Sequence, residues 1–250
     1  MTLTVTVITH NESRVIARCL ESIAWADEVI VLDSGSVDDT ADLASRLRAK
    51  VTTTADWPGF GPQKNRALDL ATGDWVLSLD ADEWITPELR KEIEGAMRDP
   101  ANFAAFRLPR LSSYCGRFMR HSGWWPDYVT RLFRRGAARF SPDLVHERLL
   151  VEGAIGTLRA PLMHEAIVDL ADALHKMNAY STAGAAMQFE RGKPGSLAGA
   201  VLHGAWTFVR TYVLRRGFLD GREGFMLAVS NAEGAYYRYL KLALLGAKRP

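Results

Sequence analysis

The sequence predicts an α/β protein in which a mainly parallel sheet is flanked by helices and followed by a C-terminal helical extension. Over the first hundred residues, apolar β-branched runs alternate with segments whose apolar residues recur at helical spacing. Some of these runs are apolar throughout, as is typical of strands covered on both faces. From Asp169 onward, the pattern is helical.

Strands and helices alternate in the first hundred residues. Four strands are expected over residues 3–9, 28–32, 50–54 and 75–79. The helices between them are expected over 13–25, over 38–47, and over about ten residues after Pro62. The acidic start of the second helix suits its N-terminal dipole. This alternation predicts parallel strands with helices on both faces of the sheet.

Beyond residue 100 the pattern changes. Short strands are expected over 103–108 and 129–134, separated by a loop rich in arginine and aromatic residues. Glycine-containing turns then separate three helical segments, at 171–188, 197–216 and 222–245. The longest weakly polar stretch, 197–209, is too short to span a bilayer core of about 30 Å. A membrane-spanning protein is therefore not expected.

The composition, with 48% hydrophobic and 24% charged residues, is that of a folded globular protein and excludes disordered and collagen-like chains. Cys19 and Cys115 form no paired motif, which favours a reducing compartment. The N-terminus lacks the basic start of a secretory signal, so a cytoplasmic location is expected. Residues 1–99 carry a net charge of −8 and residues 100–250 a net charge of +10. The basic part is expected to face an anionic partner.

Three polar clusters follow predicted strands, at the position where open parallel sheets bind ligands. They are residues 9–12 (Thr-His-Asn-Glu), 33–36 (Asp-Ser-Gly-Ser) and 80–83 (Asp-Ala-Asp-Glu). Turns and helix N-caps use the same residue types, but three clusters at one edge favour a binding site. Asp80 and Asp82 can converge on one hard divalent cation, Mg²⁺ or Mn²⁺. Such a cation would neutralise phosphates that leave with accumulated negative charge.

Lys64 and Arg66 lie early in the helix that follows Pro62. A cation near a helix N-terminus suits a phosphate, although both residues could instead lie on a solvated helix face. The first strand is not followed by a glycine-rich loop, which disfavours a nucleotidyltransferase and a dinucleotide-dependent dehydrogenase.

The combination of these motifs resembles the family 2 glycosyltransferases, inverting enzymes with the GT-A nucleotide-diphospho-sugar transferase fold. The matching motifs are Thr9-His10-Asn11-Glu12, Asp33-Ser34-Gly35-Ser36-Val37-Asp38-Asp39-Thr40, Lys64-Asn65-Arg66 and Asp80-Ala81-Asp82. Later segments are similar to the subgroup that builds the lipopolysaccharide inner core, namely Arg131-Leu132-Phe133-Arg134, Val145-His146-Glu147-Arg148-Leu149 and Gly217-Phe218-Leu219-Asp220-Gly221-Arg222.

The resemblance implies a GT-A catalytic domain over 1–168 and a helical extension over 169–250. Within the catalytic domain, 1–100 would bind the nucleotide sugar and 101–168 the acceptor. The donor would be a UDP-sugar, with glucose as the expected sugar, and Asp33 would hydrogen-bond the uracil base. Asp82 would be the direct ligand of Mg²⁺ or Mn²⁺, with Asp80 serving ribose and metal. The nucleotide-sugar-binding residues implied are Thr9, Asn11, Glu12, Asp33, Lys64, Arg66 and Asp80.

The resemblance also implies one carboxylate that takes a proton from the acceptor hydroxyl. Glu147 matches this general base best, and Asp127 is the alternative. His164 could be a metal ligand or an acceptor contact. Between residues 107 and 139 there are eight arginines and one acid, which suits an acceptor rich in phosphate and carboxylate groups. The acceptor contacts expected are Arg131, Trp124, Trp125 and His146.

A lipid-linked phosphorylated glycan is the acceptor that the resemblance implies, at the cytoplasmic face of the inner membrane. Aromatic and basic residues on the C-terminal helices suit peripheral contact with an anionic membrane, although packing on the catalytic domain or self-association would use the same residues. The alternatives are an enzyme of the family acting on another lipid-linked or cell-surface glycan, or a non-catalytic membrane-surface or glycan-binding protein. No nucleic-acid-binding module is recognised, so nucleic acid is not expected as a partner.

Overall fold

The computed structural model describes residues 1–142 and 147–247. The chain forms two compact units. The first joins Met1–Arg110 to Asp127–His164, and the second joins Leu111–Pro126 to Glu165–Pro250. The second unit therefore combines the C-terminal helices with a segment from the middle of the chain.

The first eighty residues form parallel strands linked by helices, as the sequence predicts. The strands are β1 (Leu3–Thr9), β2 (Glu28–Asp33), β3 (Lys50–Thr53) and β4 (Trp75–Asp80), and the helices are α1 (Ile16–Ser22), α2 (Thr40–Arg46) and α3 (Phe60–Asp69). The strands lie in the order β3-β2-β1-β4, and each neighbouring pair is parallel. All seven residues of β1 are buried, as expected for a strand covered on both faces.

The rest of the sheet is largely antiparallel, so the sheet is mixed rather than mainly parallel. The further elements are β5 (Glu83–Ile85), α4 (Pro87–Arg98), β6 (Phe103–Tyr114), β7 (Arg117–Phe118), β8 (Asp127–Arg134), β9 (Ala138–Phe140), β10 (Leu149–Val151), β11 (Ala154–Thr157) and β12 (Leu162–Ile167). β8 is antiparallel to both β4 and β6, and the order continues through β12 to β5. The connection from β6 to β8 contains β7 and turns, because antiparallel neighbours need no crossover helix.

Two local differences from the prediction have simple causes. α3 begins at Phe60 rather than after Pro62. Proline is tolerated in the first helical turn, because the backbone nitrogens there have no hydrogen-bond partner within the helix. β5 and α4 are absent from the prediction. α4 begins where Thr86 accepts a hydrogen bond from the Leu89 amide (3.2 Å), and it buries Leu89 and Ile93 in the core.

The second unit is helical, as predicted from Asp169 onward. Its helices are α5 (Leu170–Glu190), α6 (Leu197–Val209) and α7 (Gly221–Ala247). The predicted helix over 197–216 changes to a π-helical turn at Arg210–Leu214, and a 3₁₀ turn follows at Gly217–Asp220. Buried Asp220 accepts hydrogen bonds from the amides of Arg120 (3.1 Å) and His121 (3.0 Å), which fixes the 3₁₀ turn against the middle segment. Among the described residues, no helix has both the length and the apolar character needed to cross a membrane.

A buried carboxylate at the start of β2 ties several segments of the first unit together. Glu28 accepts hydrogen bonds from the hydroxyl of Thr4 (2.6 Å), from Lys50 Nζ (2.7 Å), and from the amide (3.0 Å) and hydroxyl (2.9 Å) of Thr72. Burial raises the pKa of Glu28, but these bonds outweigh burial and lower the pKa from 4.5 to about 2.

We expect Glu28 to stabilise the fold fully above about pH 4.5 and progressively less as the pH falls toward 2, because folding lowers its pKa and so favours the ionised form. The difference between a pKa of 4.5 and one of about 2 corresponds to about 3 kcal/mol. Urea unfolding of wild type and Glu28→Gln at several pH values measures this contribution. The gap in stability between the two proteins should narrow in acid, and a gap independent of pH would contradict the assignment.

Candidate active site

The carboxyl ends of β1, β2 and β4 bring the three polar clusters to one edge of the sheet, as the sequence predicts. In the strand register, Thr9 lies opposite Asp33 and Ile8 lies opposite Asp80. Thr9, Asp33 and Asp80 are the last residues of three adjacent strands. Sheets of this kind bind their ligands at this edge.

Hydrogen bonds join the loops that follow β1 and β2. The buried Asp33 carboxylate accepts hydrogen bonds from the amide (2.9 Å) and the hydroxyl of Ser36. Asn11 has a positive φ of 56°; its amide donates to Ser36 Oγ (2.8 Å) and its Oδ1 accepts from the Val37 amide (2.9 Å). The two loops thus form one fixed wall at the edge of the sheet.

Thr9 offers an unused polar group beside this wall. Its side chain is 4% exposed, and its hydroxyl has no hydrogen-bond partner among the residues that the structure describes. A buried hydroxyl normally finds a partner, so its position points to a bound group at this edge. Glu12 follows closely, and its amide donates to Thr40 Oγ1 at the start of α2 (2.8 Å).

Lys64 of α3 is buried between two carboxylates. Its Nζ lies 2.9 Å from Asp80 Oδ1 and 3.0 Å from Glu147 Oε1, and 4% of its side chain is exposed. Gly61 allows this approach, because a Cβ there would lie 2.0 Å from the carbonyl oxygen of Ser141. The structure therefore brings together three residues that the sequence singled out.

Asp80 also contacts a second cation, and the contacts continue beyond it. Arg131 binds the other oxygen of Asp80 and lies 2.7 Å from Glu83 Oε1. Arg110 lies 3.4 Å from the same oxygen of Glu83 and 2.7 Å from Asp127 Oδ2. We call this the ion-pair chain; its order is Glu147, Lys64, Asp80, Arg131, Glu83, Arg110, Asp127. The two candidate bases stand at its two ends.

The ion-pair chain determines the charge state of Asp80. Burial raises the pKa of Asp80, but the positive charges of Arg131 and Lys64 outweigh burial and hold that pKa well below its usual range. Burial lowers the pKa of the Arg131 guanidinium, but the charges of Asp80 and Glu83 have the larger effect. The pKa of Arg131 is therefore raised above its usual value. Asp80 is thus a fixed carboxylate between two cations.

Asp82 and His164 are the residues that fit a divalent cation. His164 Nε2 lies 3.3 Å from Asp82 Oδ2, and both side chains are partly exposed. A carboxylate and an imidazole are suitable ligands for Mn²⁺, and a diphosphate could complete the coordination. Both oxygens of Asp80 contact cations, which leaves Asp80 less suited to a metal. Within the described ranges, no cluster of three or more His, Cys, Asp or Glu side chains forms a metal site by itself.

The other predicted site residues either have contacts of their own or are engaged within the ion-pair chain. Arg66 is partly exposed and binds Asp56 through both terminal nitrogens (2.8 and 2.9 Å). Trp124 and Trp125 belong to the second unit, where Trp124 packs edge-on against Tyr114 with ring centroids 6.0 Å apart. Arg131, predicted as an acceptor contact, is 5% exposed and engaged inside the ion-pair chain. His146 lies outside the described residues.

Glu83 and Arg110 are members of the ion-pair chain for which the sequence predicts no individual role. Glu83 has no exposed surface, and its Oε2 also accepts a hydrogen bond from the Asp80 amide (3.0 Å). In sequence, Glu83 looks like one more acid in a polar turn and Arg110 like one of many arginines. The pairing of β8 with β4 and β6 brings their partners within reach, and a single sequence carries no direct signal for that pairing.

Residues 4–150 match the family model "Glycosyl transferase family 2", so the chain belongs to this family and is a nucleotide-sugar-dependent glycosyltransferase. It is 31% identical to an uncharacterized glycosyltransferase of Rickettsia prowazekii (strain Madrid E), over 96% of this chain and 85% of the relative. It is 30% identical to the lipopolysaccharide core biosynthesis glycosyltransferase LpsC of Rhizobium meliloti (strain 1021), over 95% of this chain and 89% of LpsC.

A solved structure confirms the GT-A fold. The crystal structure of S. aureus TarS residues 1–349 in complex with UDP superposes with a TM-score of 0.52. That superposition covers 99% of this chain and 92% of the TarS chain, at 18% sequence identity.

Proposed function

We propose that the chain is an inverting transferase that moves a sugar, glucose, from a UDP-sugar to an acceptor of the lipopolysaccharide inner core. The reaction class follows from the family, and the acceptor is suggested by the name of LpsC. The observation that carries the proposal is Lys64, buried between Asp80 at a strand end and Glu147. It joins the proposed donor site to the proposed base.

The donor would lie at the edge formed by β1, β2 and β4. The Thr9 hydroxyl, which has no partner in the described part of the chain, would hydrogen-bond the nucleotide, and Asn11 and Glu12 would line the nucleoside pocket. Among the described residues, the Asp33 carboxylate accepts three hydrogen bonds from its own turn. A carboxylate has about four acceptor positions, so a uracil N–H would take the fourth. Arg66 would exchange its exposed pair with Asp56 for the diphosphate, since exposed ion pairs contribute little.

Glu147 would accept the proton of the acceptor hydroxyl as that hydroxyl attacks the anomeric carbon. Lys64 would hold the Glu147 carboxylate in place and add positive charge beside Asp80. Asp82 and His164 would hold Mg²⁺ or Mn²⁺, which would neutralise the leaving diphosphate. Asp80 would serve the ribose beside that metal.

The acceptor would be bound by the residues predicted to contact it. Trp124 and Trp125 would stack on sugar rings, and His146 would contact the acceptor. Arg131 would act through Asp80 and Glu83, which its guanidinium binds. We place the reaction at the cytoplasmic face of the inner membrane, with residues 1–168 as the catalytic domain and 169–250 as its extension.

Calorimetric titration of UDP and UDP-glucose, with and without Mn²⁺, tests the donor site. We expect wild type to bind UDP in a Mn²⁺-dependent way and Asp82→Ala to lose the dependence on metal. Asp99→Ala is the matched control, because Asp99 is exposed at the end of α4 and should bind UDP as wild type does. If the chain binds UDP and UDP-glucose with equal affinity, the assignment of glucose as the transferred sugar is wrong. No nucleotide binding under any condition would overturn the proposal.

A further inference from the structure

The outward face of α6 is apolar and exposed. The thirteen residues Leu197–Val209 contain no Asp, Glu, Lys or Arg. Gly204 packs closely against α7, which fixes the inner face of the helix. The outer face carries Val201, Leu202 and Trp206, which are 53%, 69% and 55% exposed. A helix that faces water normally presents polar residues on that side.

The same surface continues through the turns that follow α6. Val213 and Phe218 are about half exposed, at 51% and 50%. The ring centroid of Tyr212 lies 5.5 Å from those of Phe208 and Phe225 and 6.3 Å from that of Phe218, so aromatic contacts connect α6, both turns and α7. We call this the α6 surface; its exposed members include Val201, Leu202, Trp206, Val213, Phe218 and Phe225.

Basic residues flank the α6 surface at both ends of the helix. Arg191 and Lys193 precede α6, and Arg210, Arg215 and Arg216 follow it. The one acid between residues 191 and 221 is Asp220, which is buried and bonded to the amides of Arg120 and His121. The border of this apolar surface is therefore positively charged.

We propose that the α6 surface docks on an anionic phospholipid bilayer. Leu202, Trp206 and Phe218 would enter the boundary between headgroups and acyl chains, and the flanking basic residues would contact lipid phosphates. At 1.5 Å per residue α6 is about 20 Å long, so it would lie in the plane of the interface. This inference goes beyond the transfer reaction and does not depend on the donor site.

Charge complementarity favours a bilayer over a second copy of the chain. Because both ends of α6 are basic, parallel and antiparallel pairing of two α6 helices would each bring positive charges together. The α6 surface offers no exposed acid between residues 191 and 221 to offset that repulsion. A membrane surface that contains anionic lipid supplies the missing negative charge.

Co-sedimentation of the full chain with phosphatidylcholine vesicles, with and without phosphatidylglycerol, tests the proposal in the absence of nucleotide. We expect binding that requires phosphatidylglycerol and weakens at high salt. Leu202→Gln combined with Trp206→Gln should reduce vesicle binding by at least about tenfold, because two exposed apolar side chains no longer enter the bilayer. Arg210→Gln combined with Arg216→Asn should reduce it about 25-fold, or roughly fivefold per basic residue.

Asparagine is chosen at position 216 because Arg216 has a positive φ of 53°, which asparagine tolerates. Leu174→Gln is the matched apolar control, since Leu174 is 45% exposed on α5 and lies outside the α6 surface. It should bind vesicles as wild type does. The proposal is overturned if wild type does not bind phosphatidylglycerol vesicles, or if both double variants bind as wild type does. A solution dimer that Leu202→Gln/Trp206→Gln converts to a monomer would assign the surface to a second copy instead.

Discussion

Replacement of Glu147 by glutamine is expected to lower kcat for sugar transfer by about 10²- to 10⁴-fold, the contribution typical of a general base. Glutamine keeps the size of the side chain and can still contact Lys64, whose Nζ lies 3.0 Å from Glu147 Oε1. It cannot accept the proton of an acceptor hydroxyl. Steady-state kinetics should therefore show a loss in kcat, while calorimetry shows UDP affinity close to that of wild type.

Asp127→Asn is the matched control, because Asp127 is the alternative base at the other end of the ion-pair chain. Its carboxylate is held by Arg110 and is 43% exposed, so we expect a small effect on kcat. A large loss in Asp127→Asn together with near-normal turnover in Glu147→Gln would move the assignment to Asp127. The pH profile of kcat supplies a second readout, since removal of the true base also removes the acidic limb of the profile.

Arg131→Met is expected to lower the free energy of unfolding by about 3–5 kcal/mol, the usual effect of removing one partner from a buried ion pair. Arg131 is 5% exposed and contacts both Asp80 and Glu83, and Glu83 has no exposed surface. The substitution would leave the buried Glu83 carboxylate with an ion pair to Arg110 at 3.4 Å and the hydrogen bond from the Asp80 amide. Chemical denaturation monitored by circular dichroism measures the loss.

Two further variants make this prediction specific. Arg139→Met removes an arginine from an exposed pair with Asp69, in which both side chains are more than half exposed, and should change stability by less than about 1 kcal/mol. Glu83→Gln added to Arg131→Met should recover part of the lost stability, because it neutralises the carboxylate left without its main partner. Equal losses in Arg131→Met and Arg139→Met would contradict a structural role for the ion-pair chain.

Much of the fold could be predicted from the sequence where local pattern and tertiary structure agree. The strand predicted over 3–9 is β1 residue for residue, because its run of apolar and β-branched residues favours a strand. The antiparallel half was not predicted, since which strand β8 pairs with depends on contacts distant in sequence. The change from α-helix to π-helical turn at Arg210 likewise has no local signal that separates it from a continuing helix.

The candidate site divides in the same way. Thr9, Asp33 and Asp80 could be predicted to lie together, because parallel strands end at the same edge of a sheet. The contact between Lys64 and Glu147 could not, since it joins α3 to a residue more than eighty positions later. It depends on the absence of a side chain at Gly61, where a Cβ would lie 2.0 Å from the Ser141 carbonyl.

The ion-pair chain also has a consequence for charge balance at the proposed donor site. Its formal charges are four negative, on Glu147, Asp80, Glu83 and Asp127, and three positive, on Lys64, Arg131 and Arg110. With Asp82 added, the group carries a formal charge of −2 before any ligand enters. A nucleoside diphosphate would add further negative charge. The three cations of the ion-pair chain are already paired with carboxylates, so they cannot neutralise it. A divalent cation bound with the nucleotide would offset two of these negative charges, and metal and nucleotide would then each strengthen the binding of the other.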